Sequence, residues 1–507
     1  MDSKKARASL KKGKSVSVSK LLDLVERLEI ELAQANQKIT DLSKKLEELS
    51  KTSKLDQSFS INAHEKRQDD LGAIDPKKRR PNKNKDTKLG RKKNDAKLKA
   101  AIRTVQIFPA NLPRSECVLS HTRPVWRLEK CRAVIVAYEI WMHKKTKTYG
   151  IIPGVIGRSG YGIEFVLAVS YQVYTLGLSM DKVVLLTQFF QDLKIGKSQI
   201  DSMLNQLARH LDGEFDNLCS LVANSMILHA DETSWSIHSV WAFLTENARI
   251  LLHGVHKDAA TLKIIVDPAK FGGLVHSDHA AVYSAFSKKQ KCWAHLLRKA
   301  IRICLLAPEE KQFESFRDSL FEIYRAAVRL KKDGRYSDDG RHNAVVDLQN
   351  QLYDLIEPEC EKHLDKKYEG ALEDYRLLVF ELLSLNADDE LFNFVTTASV
   401  VSPNGKTVAA KATNNESEQG LRNPAMARNT DRASKTIRGA KRRTIVISVF
   451  ESLRCHLKTF TLTSVTNEIL SWQTNGLSCF ERQLQSMKNA VRSSGILDKL
   501  YPTAKAA

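Results

Sequence analysis

The sequence predicts an α/β protein in which a central sheet carries acidic residues at the ends of two strands. A short apolar run that is typical of a buried strand ends at Asp231, and a second such run ends at Asp278. A third segment opens with Asn414 and Asn415, which are good helix-start residues, and carries Glu418. We therefore expect Asp231, Asp278 and Glu418 to meet at one site in the folded chain.

The apolar runs around the two aspartates predict the order of the strands in this core. Two strands in a meander follow the first, a helical segment precedes the strand that ends at Asp278, and a short strand and a helix come after it. These elements are expected over residues 240–245, 250–255, 258–265 and 291–293, with the last helix starting near His295. The order, interpreted as three strands, a helix, a strand, a helix and a strand, is the ribonuclease H-like layout, in which the first and fourth strands lie side by side.

Acidic residues at neighbouring strand ends predict a metal site. Two carboxylates a few ångströms apart repel each other in the absence of cations, which raises the pKa of one of them. Two divalent ions about 3.5 to 4 Å apart would remove that cost and support an in-line phosphoryl displacement. Because Mg²⁺ and Mn²⁺ suit an all-oxygen site, we expect two of these ions at Asp231, Asp278 and Glu418.

The charge of the chain favours a nucleic acid as partner. Lys and Arg number 80 against 59 Asp and Glu, which gives a formal net charge of +21 and a pI near 9.5. The alternative is that the positive charge only keeps the protein soluble. The eight cysteines form no paired framework, and no apolar stretch is long enough to span a membrane. We therefore expect a cytoplasmic protein without a membrane partner.

The first hundred residues fall into three segments of different composition. Residues 1–20 are polar and basic, which predicts a disordered tail. Over residues 21–50 apolar side chains alternate in steps of four and three, which predicts a coiled coil. The pattern favours a parallel dimer without excluding a trimer, and a single amphipathic helix is the alternative. Residues 51–100 predict a basic linker that binds the phosphate backbone without reading sequence, or else a solvated spacer.

The remaining chain is expected to form a DNA-binding region, an interrupted core and a tail. Their ranges are 101–222 for the DNA-binding region, 223–308 and 405–460 for the two parts of the core, 309–404 for a helical insertion and 461–507 for a helical tail. Residues 163–210 favour a helical hairpin over a DNA-reading helix-turn-helix. The candidate zinc ligands in this region are Cys117, His121, Cys131 and His143, but the paired CxxC signature is absent, so zinc is not expected.

Three motifs in this order resemble those of the DDE transposases of insertion-sequence family sixty-six. They are Asp231-Glu232-Thr233 after the first strand, Cys292-Trp293-Ala294-His295 with Arg298 after the second aspartate, and Asn414-Asn415 followed by Glu418, Leu421 and Arg422. The resemblance spans roughly residues 150 to 460. It implies a transposase that frees a 3′-hydroxyl at an insertion-sequence end and joins it to target DNA, with Asp231, Asp278 and Glu418 as its catalytic, metal-binding acids.

The resemblance also implies the partners. Double-stranded DNA from the transposon ends and from the target would be the substrate, in a prokaryotic nucleoid. The coiled coil would make a dimer or a higher oligomer, and helper proteins stay an open class of partner. Basic residues on and near the last motif would hold DNA phosphates. They are Arg298, Arg422, Arg428, Arg432, Lys435, Arg438, Lys441, Arg442 and Arg443.

Two residues near the motifs carry alternatives. His295 would either support the site or pack within its helix, and Glu416 is a rival of Glu418 because the residues that flank the last motif depart from the family pattern. Trp235 and Trp293 are expected in the core rather than in contact with bases. The alternative functions are a non-catalytic dimeric DNA-binding protein and a ribonuclease H-like nuclease that only hydrolyses.

Overall fold

The structure is a computed structural model that covers most of the chain after the linker. It describes Gln37 and residues 89–502, except 279, 364–367 and 431. The chain divides into two compact units, Met1–Gly90 and Arg91–Ala507, and the description below concerns the second. The basic tail, the coiled coil over 21–50 and nearly all of the linker lie outside the described residues.

A small sheet follows the first described helix. Helix α1 spans Leu89–Lys99, and strands β1, β2 and β3 span Arg103–Ile107, Cys117–Glu129 and Arg132–His143, with a 3-10 turn at Arg114–Glu116 before β2. The central strand β3 pairs with β1 in parallel and with β2 in antiparallel register. Lys130 and Cys131, both at positive φ, close the β2–β3 hairpin.

Four helices connect this sheet to the core. They are α2, α3, α4 and α5, over Ile163–Tyr174, Met180–Gln191, Lys197–Leu211 and Glu214–Ala223. The buried Glu164 on α2 pairs with Arg127 of β2 at 2.9 Å, which holds this helix against the small sheet. The Ser179 hydroxyl accepts the Lys182 N–H at 3.3 Å and so caps α3. The helices expected over residues 163–210 are confirmed.

The central sheet has five strands in mixed orientation. Strands β4 to β8 span Ile227–Ser234, Ser239–Thr245, Arg249–Val255, Leu274–Ser277 and Lys289–Lys291, and helix α6, Ala259–Ile265, lies between β6 and β7. The spatial order is β6-β5-β4-β7-β8, with β4 parallel to β7 and β7 parallel to β8. The first and fourth strands of the core are therefore neighbours.

The short strand and the helix expected after the strand of Asp278 are found in that order, but the interpreted layout, with a helix before the short strand, was wrong. The chain forms a 3-10 turn at Ala281–Tyr283 between β7 and β8, and the helix α7, Trp293–Leu306, follows β8 instead of preceding it. Residues 278–288, which separate the two strands, contain this 3-10 turn and no α-helix among the described residues. Trp293, expected in the short strand, instead opens α7.

A helical segment interrupts the core as expected. Helices α8, α9, α10 and α11 span Lys311–Lys332, Asp338–His363, Ala371–Ala387 and Asn393–Thr396. They bury Leu320, Leu352 and Leu382 in an apolar cluster that also includes Trp293. A two-stranded hairpin, β9 at Val400–Val401 and β10 at Thr407–Val408, leads back to the core.

The last helices complete the core and cover an edge of the sheet. Helices α12 to α16 span Asn415–Asn429, Ile437–His456, Leu462–Asn475, Cys479–Ser486 and Ile496–Leu500. Three hydroxyls spaced four residues apart on α13 accept backbone N–H groups of the edge strand β6. The pairs are Thr444 with His253, Ser448 with Leu251 and Ser452 with Arg249, at 2.8, 3.0 and 2.9 Å. These backbone N–H groups at the open edge of the sheet therefore have side-chain partners. Within the described residues no helix is long and apolar enough to cross a membrane.

Candidate active site

Two aspartates lie at the same end of the central sheet. Strands β4 and β7 pair in parallel with His229 opposite His276. Asp231 lies two residues further along β4, which continues to Ser234 instead of ending at Asp231 as expected, and Asp278 directly follows the last residue of β7. Helix α12 packs on β4 and β5 and carries Glu418 in its first turn. The negative charges of Asp278 and Glu418 both act on the Asp231 carboxyl. Among the described residues, the donor atoms of these three acids do not all lie within 4.8 Å of one another, and Glu418 has Cys292 and His295 as its close neighbours.

The Asp231 carboxyl is strongly affected by this environment. Burial raises its pKa from 3.8 to about 7, and the charges of Glu232, Asp278 and Glu418 act in the same direction. The backbone N–H of Glu232, 2.8 Å from Oδ1, opposes the shift. A cation between the carboxylates would remove the repulsion, so the arrangement suits a bound metal.

The loop that carries Asp278 is held by its neighbours. Its Oδ1 accepts the backbone N–H of Ala280 at 3.0 Å, and its carbonyl oxygen accepts the Lys291 ammonium at 3.0 Å. Lys291 is buried and lies 3.6 Å from the buried carboxylate of Glu390. The short strand β8 therefore fixes the position of the second aspartate.

Glu418 faces the first turn of helix α7. Its Oε1 lies 3.7 Å from His295 Nε2 and 3.2 Å from the Arg298 guanidinium. Side-chain donors of Cys292, His295 and Glu418 all lie within 4.8 Å of one another. Burial and the charge of Arg298 lower the pKa of His295. The His295 side chain is 45% exposed, so of its two alternatives the structure favours a place at the site over packing within the helix.

Asn414 joins the three elements of the site. Its side chain is buried, with Oδ1 3.1 Å from His229 Nδ1, and its Nδ2 donates to the Ala230 carbonyl at 3.0 Å. Its backbone N–H donates to Cys292 Sγ at 3.2 Å. Sequence reasoning took Asn414 as a helix-start residue, yet its side chain makes no capping hydrogen bond to α12. It links α12 to β4 and to α7 instead.

Glu416 has different partners from Glu418. It pairs with Lys411 at 2.5 Å and lines a cavity of about 410 Å³ together with Arg249 and Glu451. Burial would raise its pKa, but the hydrogen bond from Lys411 and the charges of His229 and Arg249 outweigh burial and lower it. Two residues along a helix turn the side chain to roughly the opposite face, which is why Glu418 and Glu416 have different surroundings.

Glu232, the second acid of the first motif, is buried behind the site. Its Oε1 lies 2.7 Å from Lys257 Nζ, and its Oε2 accepts the Tyr283 hydroxyl. The pKa of Lys257 is raised, first by its hydrogen bond to Glu232 and further by the negative charges of Asp278 and Asp231. Lys257 thus adds a positive charge beside the two aspartates. Sequence reasoning missed it because it stands in a loop after β6, where no motif marks it.

The expected phosphate-binding residues differ in their surroundings. Arg422 and Arg438 are exposed. Arg298 pairs with Glu418, Arg428 donates to the Ser234 carbonyl at 2.9 Å, and Arg432 donates to the Gly177 carbonyl at 2.8 Å. Lys441 lies 3.6 Å from Asp498, and Lys435 is partly buried. Several of these side chains therefore also hold the fold together.

Arg442 and Arg443 do not fit a phosphate-binding surface. Arg443 is 5% exposed and stands over the rings of Trp235 and Tyr174, 5.3 and 5.6 Å from their centroids. Arg442 pairs with Asp201 at 2.5 Å and is largely covered. The expectation of DNA contact was wrong for Arg443, because helix α13 turns it towards the core, where aromatic rings cover its cationic group.

The tryptophans lie in the core, and the candidate zinc ligands are spread apart. Trp235 and Trp293 are 6% and 0% exposed, as expected. Cys117 pairs across the small sheet with His143, which bonds to Glu116 at 3.2 Å. Cys131 lies in the hairpin turn at the other end of the same two strands. These side chains cannot share one ion.

Comparison with known proteins assigns the family. The sequence model described as "Transposase IS66 family" matches residues 158–442, which is more than half of the chain. The match begins just before α2 and ends in α13, so it includes every strand of the central sheet and all three acids. No curated protein matches the chain. The chain therefore belongs to the transposase IS66 family.

Proposed function

We propose that this protein catalyses metal-dependent DNA strand cleavage and strand transfer at insertion-sequence ends, with Asp231, Asp278 and Glu418 as the catalytic acids. The observation that carries the proposal is the parallel pairing of β4 with β7, which sets Asp231 and Asp278 at the same end of neighbouring strands, where the charges of Asp278 and Glu418 both act on the Asp231 carboxyl. A transposase role is what membership of the family implies in general. The assignment of these three residues goes further and is our own.

The order of strands supports a ribonuclease H-like core. The sheet places the first strand between the second and the fourth, and the fifth lies beyond the fourth. The two aspartates follow the paired ends of the first and fourth strands, and the third acid comes from a helix packed on the first two. A sheet of this kind can hold three carboxylates at one edge while the helical insertion leaves from the same region.

The donor atoms at the site fit divalent cations. Asp231 and Asp278 offer carboxylate oxygens, which Mg²⁺ and Mn²⁺ prefer. Burial and the neighbouring carboxylates raise the pKa of Asp231, and added positive charge would offset the part that comes from the carboxylates. Two such ions would activate the attacking oxygen and stabilise the leaving oxygen of a phosphoryl displacement. Asp231, Asp278 and Glu418 would hold them. Before metal binds, Arg298 and Lys257 supply positive charge beside Glu418 and Glu232.

Exposed basic residues would position the DNA duplex. Arg422 lies one turn after Glu418 on helix α12, and Arg438 lies in the first turn of α13. Basic side chains at such places bind phosphates and set the register of a duplex without reading its sequence. We assign a phosphate-binding role to these two arginines, and the same role near the site to Arg298, Arg428, Arg432, Lys435 and Lys441.

The flanking regions complete the proposal. The coiled coil over 21–50 would make the dimer or higher oligomer, and the basic linker over 51–100 would add affinity for DNA. Residues 101–222 would form the DNA-binding region beside the core, and residues 461–507 the tail. Such a protein would work on the DNA of a prokaryotic nucleoid, with helper proteins as a further class of partner.

The decisive experiment follows cleavage and joining on the DNA that flanks the gene, with and without Mg²⁺ or Mn²⁺. We expect metal-dependent nicks and products joined to target DNA. Asp231→Asn, Asp278→Asn and Glu418→Gln should each lower both activities by at least about a hundredfold while DNA binding is largely kept. Glu416→Gln is the matched control, since this acid lies two positions away, and it should remain active.

Two outcomes would overturn the proposal. If metal produces nicks but never joined products, the protein is a nuclease that only hydrolyses. If DNA is bound and never cut by the wild-type protein, the chain is a DNA-binding protein whose acids have no catalytic role. Loss of activity in Glu416→Gln with activity kept in Glu418→Gln would exchange the roles of the two glutamates.

A further inference from the structure

A thiol, an imidazole and a carboxylate meet beside the proposed catalytic acids. Cys292 and His295 lie three residues apart at the start of helix α7, and Glu418 comes from the first turn of α12. One donor atom of each lies within 4.8 Å of the other two. Among the described residues, this is the group of Cys, His, Asp and Glu side chains whose donors gather closely enough to hold one ion.

The chemistry of the three donors differs from that of the aspartates. Thiolate and imidazole ligands favour Zn²⁺, whereas Mg²⁺ prefers oxygen alone. Donors bound to one tetrahedral zinc ion lie roughly 3.3 to 3.8 Å apart, and His295 Nε2 is 3.7 Å from Glu418 Oε1. Since these two side chains are 45% and 37% exposed, solvent can supply a fourth ligand.

The thiol is already held in place for such a role. Cys292 is buried, and its Sγ accepts the backbone N–H of Asn414 at 3.2 Å. Asn414 is in turn fixed by its bond to the Ala230 carbonyl at 3.0 Å. Hydrogen bonds of this kind orient a ligand and stabilise a thiolate around a metal. Helix α7 then brings His295 to the same side, one turn further along.

One cation competes for the same carboxylate. The Arg298 guanidinium lies 3.2 Å from Glu418 Oε1, the oxygen that also faces His295. Its side chain is 57% exposed, so it can turn towards solvent when an ion arrives. Arg298 therefore weakens ion binding at this place without blocking it.

We propose that Cys292, His295 and Glu418 form a Zn²⁺ site that shares Glu418 with the proposed catalytic acids. Because one carboxylate serves both places, an ion bound to the thiol and the imidazole draws Glu418 away from Asp231 and Asp278. Zinc then inhibits the Mg²⁺-dependent reaction. The binding site itself is independent of the proposed function, whereas the inhibition rests on it.

Cobalt binding to the full-length protein tests the site directly. Co²⁺ replaces Zn²⁺ in tetrahedral sites, and a bound thiolate gives an intense near-ultraviolet charge-transfer band that other ligands do not give. The titration uses Cys131→Ser protein, because Cys131 is the exposed cysteine of the chain. We expect the band to saturate at one equivalent of Co²⁺ and to vanish when Zn²⁺ is added.

Variants decide which residues hold the ion. Cys292→Ser should lose the band, and Cys304→Ser, a buried cysteine on the same helix, should keep it. His295→Ala and Glu418→Gln should bind Co²⁺ at least about tenfold more weakly, and Arg298→Gln should bind it about two- to fivefold more tightly. Circular dichroism checks that each variant is folded. No band in the parent protein, or a band that survives in folded Cys292→Ser, overturns the proposal.

A second readout separates this site from the proposed function. Asp231→Asn should lose nicking and keep the cobalt band, since Asp231 is not a ligand of the zinc site. In active protein, Zn²⁺ should inhibit Mg²⁺-supported nicking, and Cys292→Ser should need about tenfold more Zn²⁺ for the same inhibition. Absence of any nicking together with a normal band refutes the proposed function and leaves the zinc site standing. Equal inhibition of parent and Cys292→Ser refutes the inhibitory role.

Discussion

At the scale of single residues, the ionisation of Asp231 links stability to function. Burial holds its pKa at about 7 in the folded chain, against 3.8 for the ordinary group. Between these values the folded state binds a proton that the unfolded state releases, so the stability of the metal-free protein falls as pH rises through this window. Above pH 7 the carboxylate is ionised beside two others, and a cation relieves the repulsion.

Replacing Asp231 should therefore stabilise the protein and end its response to metal. We expect Asp231→Asn to raise the free energy of unfolding of the metal-free protein by about 1 to 3 kcal/mol at pH 8 and to have little effect at pH 4. Thermal unfolding with and without Mg²⁺ at the two pH values measures both effects. Wild-type protein should gain stability from Mg²⁺ at pH 8, and the variant should gain far less.

Glu416→Gln is the control of opposite sign. Lys411 and nearby positive charge lower the pKa of Glu416, so its ionised form contributes stability above the ordinary pKa, and that contribution is lost as pH falls. The neutral variant should be less stable than wild type at pH 8. If Asp231→Asn is also less stable than wild type at pH 8, the interpretation that the ionised Asp231 carboxylate destabilises the metal-free protein fails.

At the scale of secondary-structure elements, one residue joins three of them. Asn414 connects the start of α12 to strand β4 through Ala230 and to helix α7 through Cys292. The position of Glu418 relative to Asp231 therefore depends on a side chain that is not itself a proposed ligand. Removal of this buried amide would leave its hydrogen-bond partners unsatisfied, which costs about 1 to 3 kcal/mol of folding stability.

Asn414→Ala should act on metal binding more than on the reaction itself. We expect the Mg²⁺ concentration for half-maximal nicking to rise about tenfold, because the carboxylate of Glu418 is less well placed, with much of the rate recovered at saturating Mg²⁺. A metal titration of the nicking rate measures this. If Asn414 contributes only to stability, the folded part of the variant protein should show an unchanged Mg²⁺ midpoint for nicking.

The hydroxyls of helix α13 stabilise the open edge of the sheet. Ser448 accepts the backbone N–H of Leu251 at 3.0 Å, in a place where both groups are buried. Ser448→Ala leaves that donor without a partner and should lower the free energy of unfolding by about 1 to 3 kcal/mol, as measured by denaturant titration. The exposed Ser486→Ala serves as control and should be neutral within about 0.5 kcal/mol. Equal effects of the two variants would contradict the edge-strand role.

At the scale of the whole molecule, the basic residues differ in whether they are exposed or already enclosed and paired within the protein. The chain carries a net charge of +21, yet Arg443 is enclosed by aromatic rings and Arg442 is paired with Asp201. Arg422 and Arg438 remain exposed. Phosphate contacts release counterions, so each residue that binds a phosphate adds to the salt dependence of DNA affinity.

The exposed arginines should therefore change the salt dependence of binding. Arg422→Ala and Arg438→Ala should each weaken binding to unrelated duplexes alike and lower the slope of log affinity against log salt by about one. Arg325→Ala is the matched control, since this exposed arginine lies on the helical insertion and pairs with Glu322. A slope that is unchanged in all three variants would remove Arg422 and Arg438 from the DNA surface.

Much of the fold could be predicted from local sequence patterns. The features that could not be predicted depend on contacts between residues far apart in the sequence. The apolar runs before Asp231 and Asp278 predict their strands because burial of a strand is written in consecutive residues. The burial of Arg443 could not be predicted, since it depends on Tyr174 and Trp235 packing against α13 from distant parts of the chain. The linking role of Asn414 has the same origin, because its partners lie more than a hundred residues away.

The sequence by itself determined the apolar strands before the two aspartates, the helix start at Asn414, the positive charge and the family resemblance, because each is set by neighbouring residues or by composition. Only the tertiary structure gave the two glutamates of α12 their different surroundings. Glu416 and Glu418 stand two positions apart, and the rotation of α12 against β4 and β5 turns one towards Lys411 and the other towards His295. That rotation is fixed by packing between segments nearly two hundred residues apart, which no local pattern encodes.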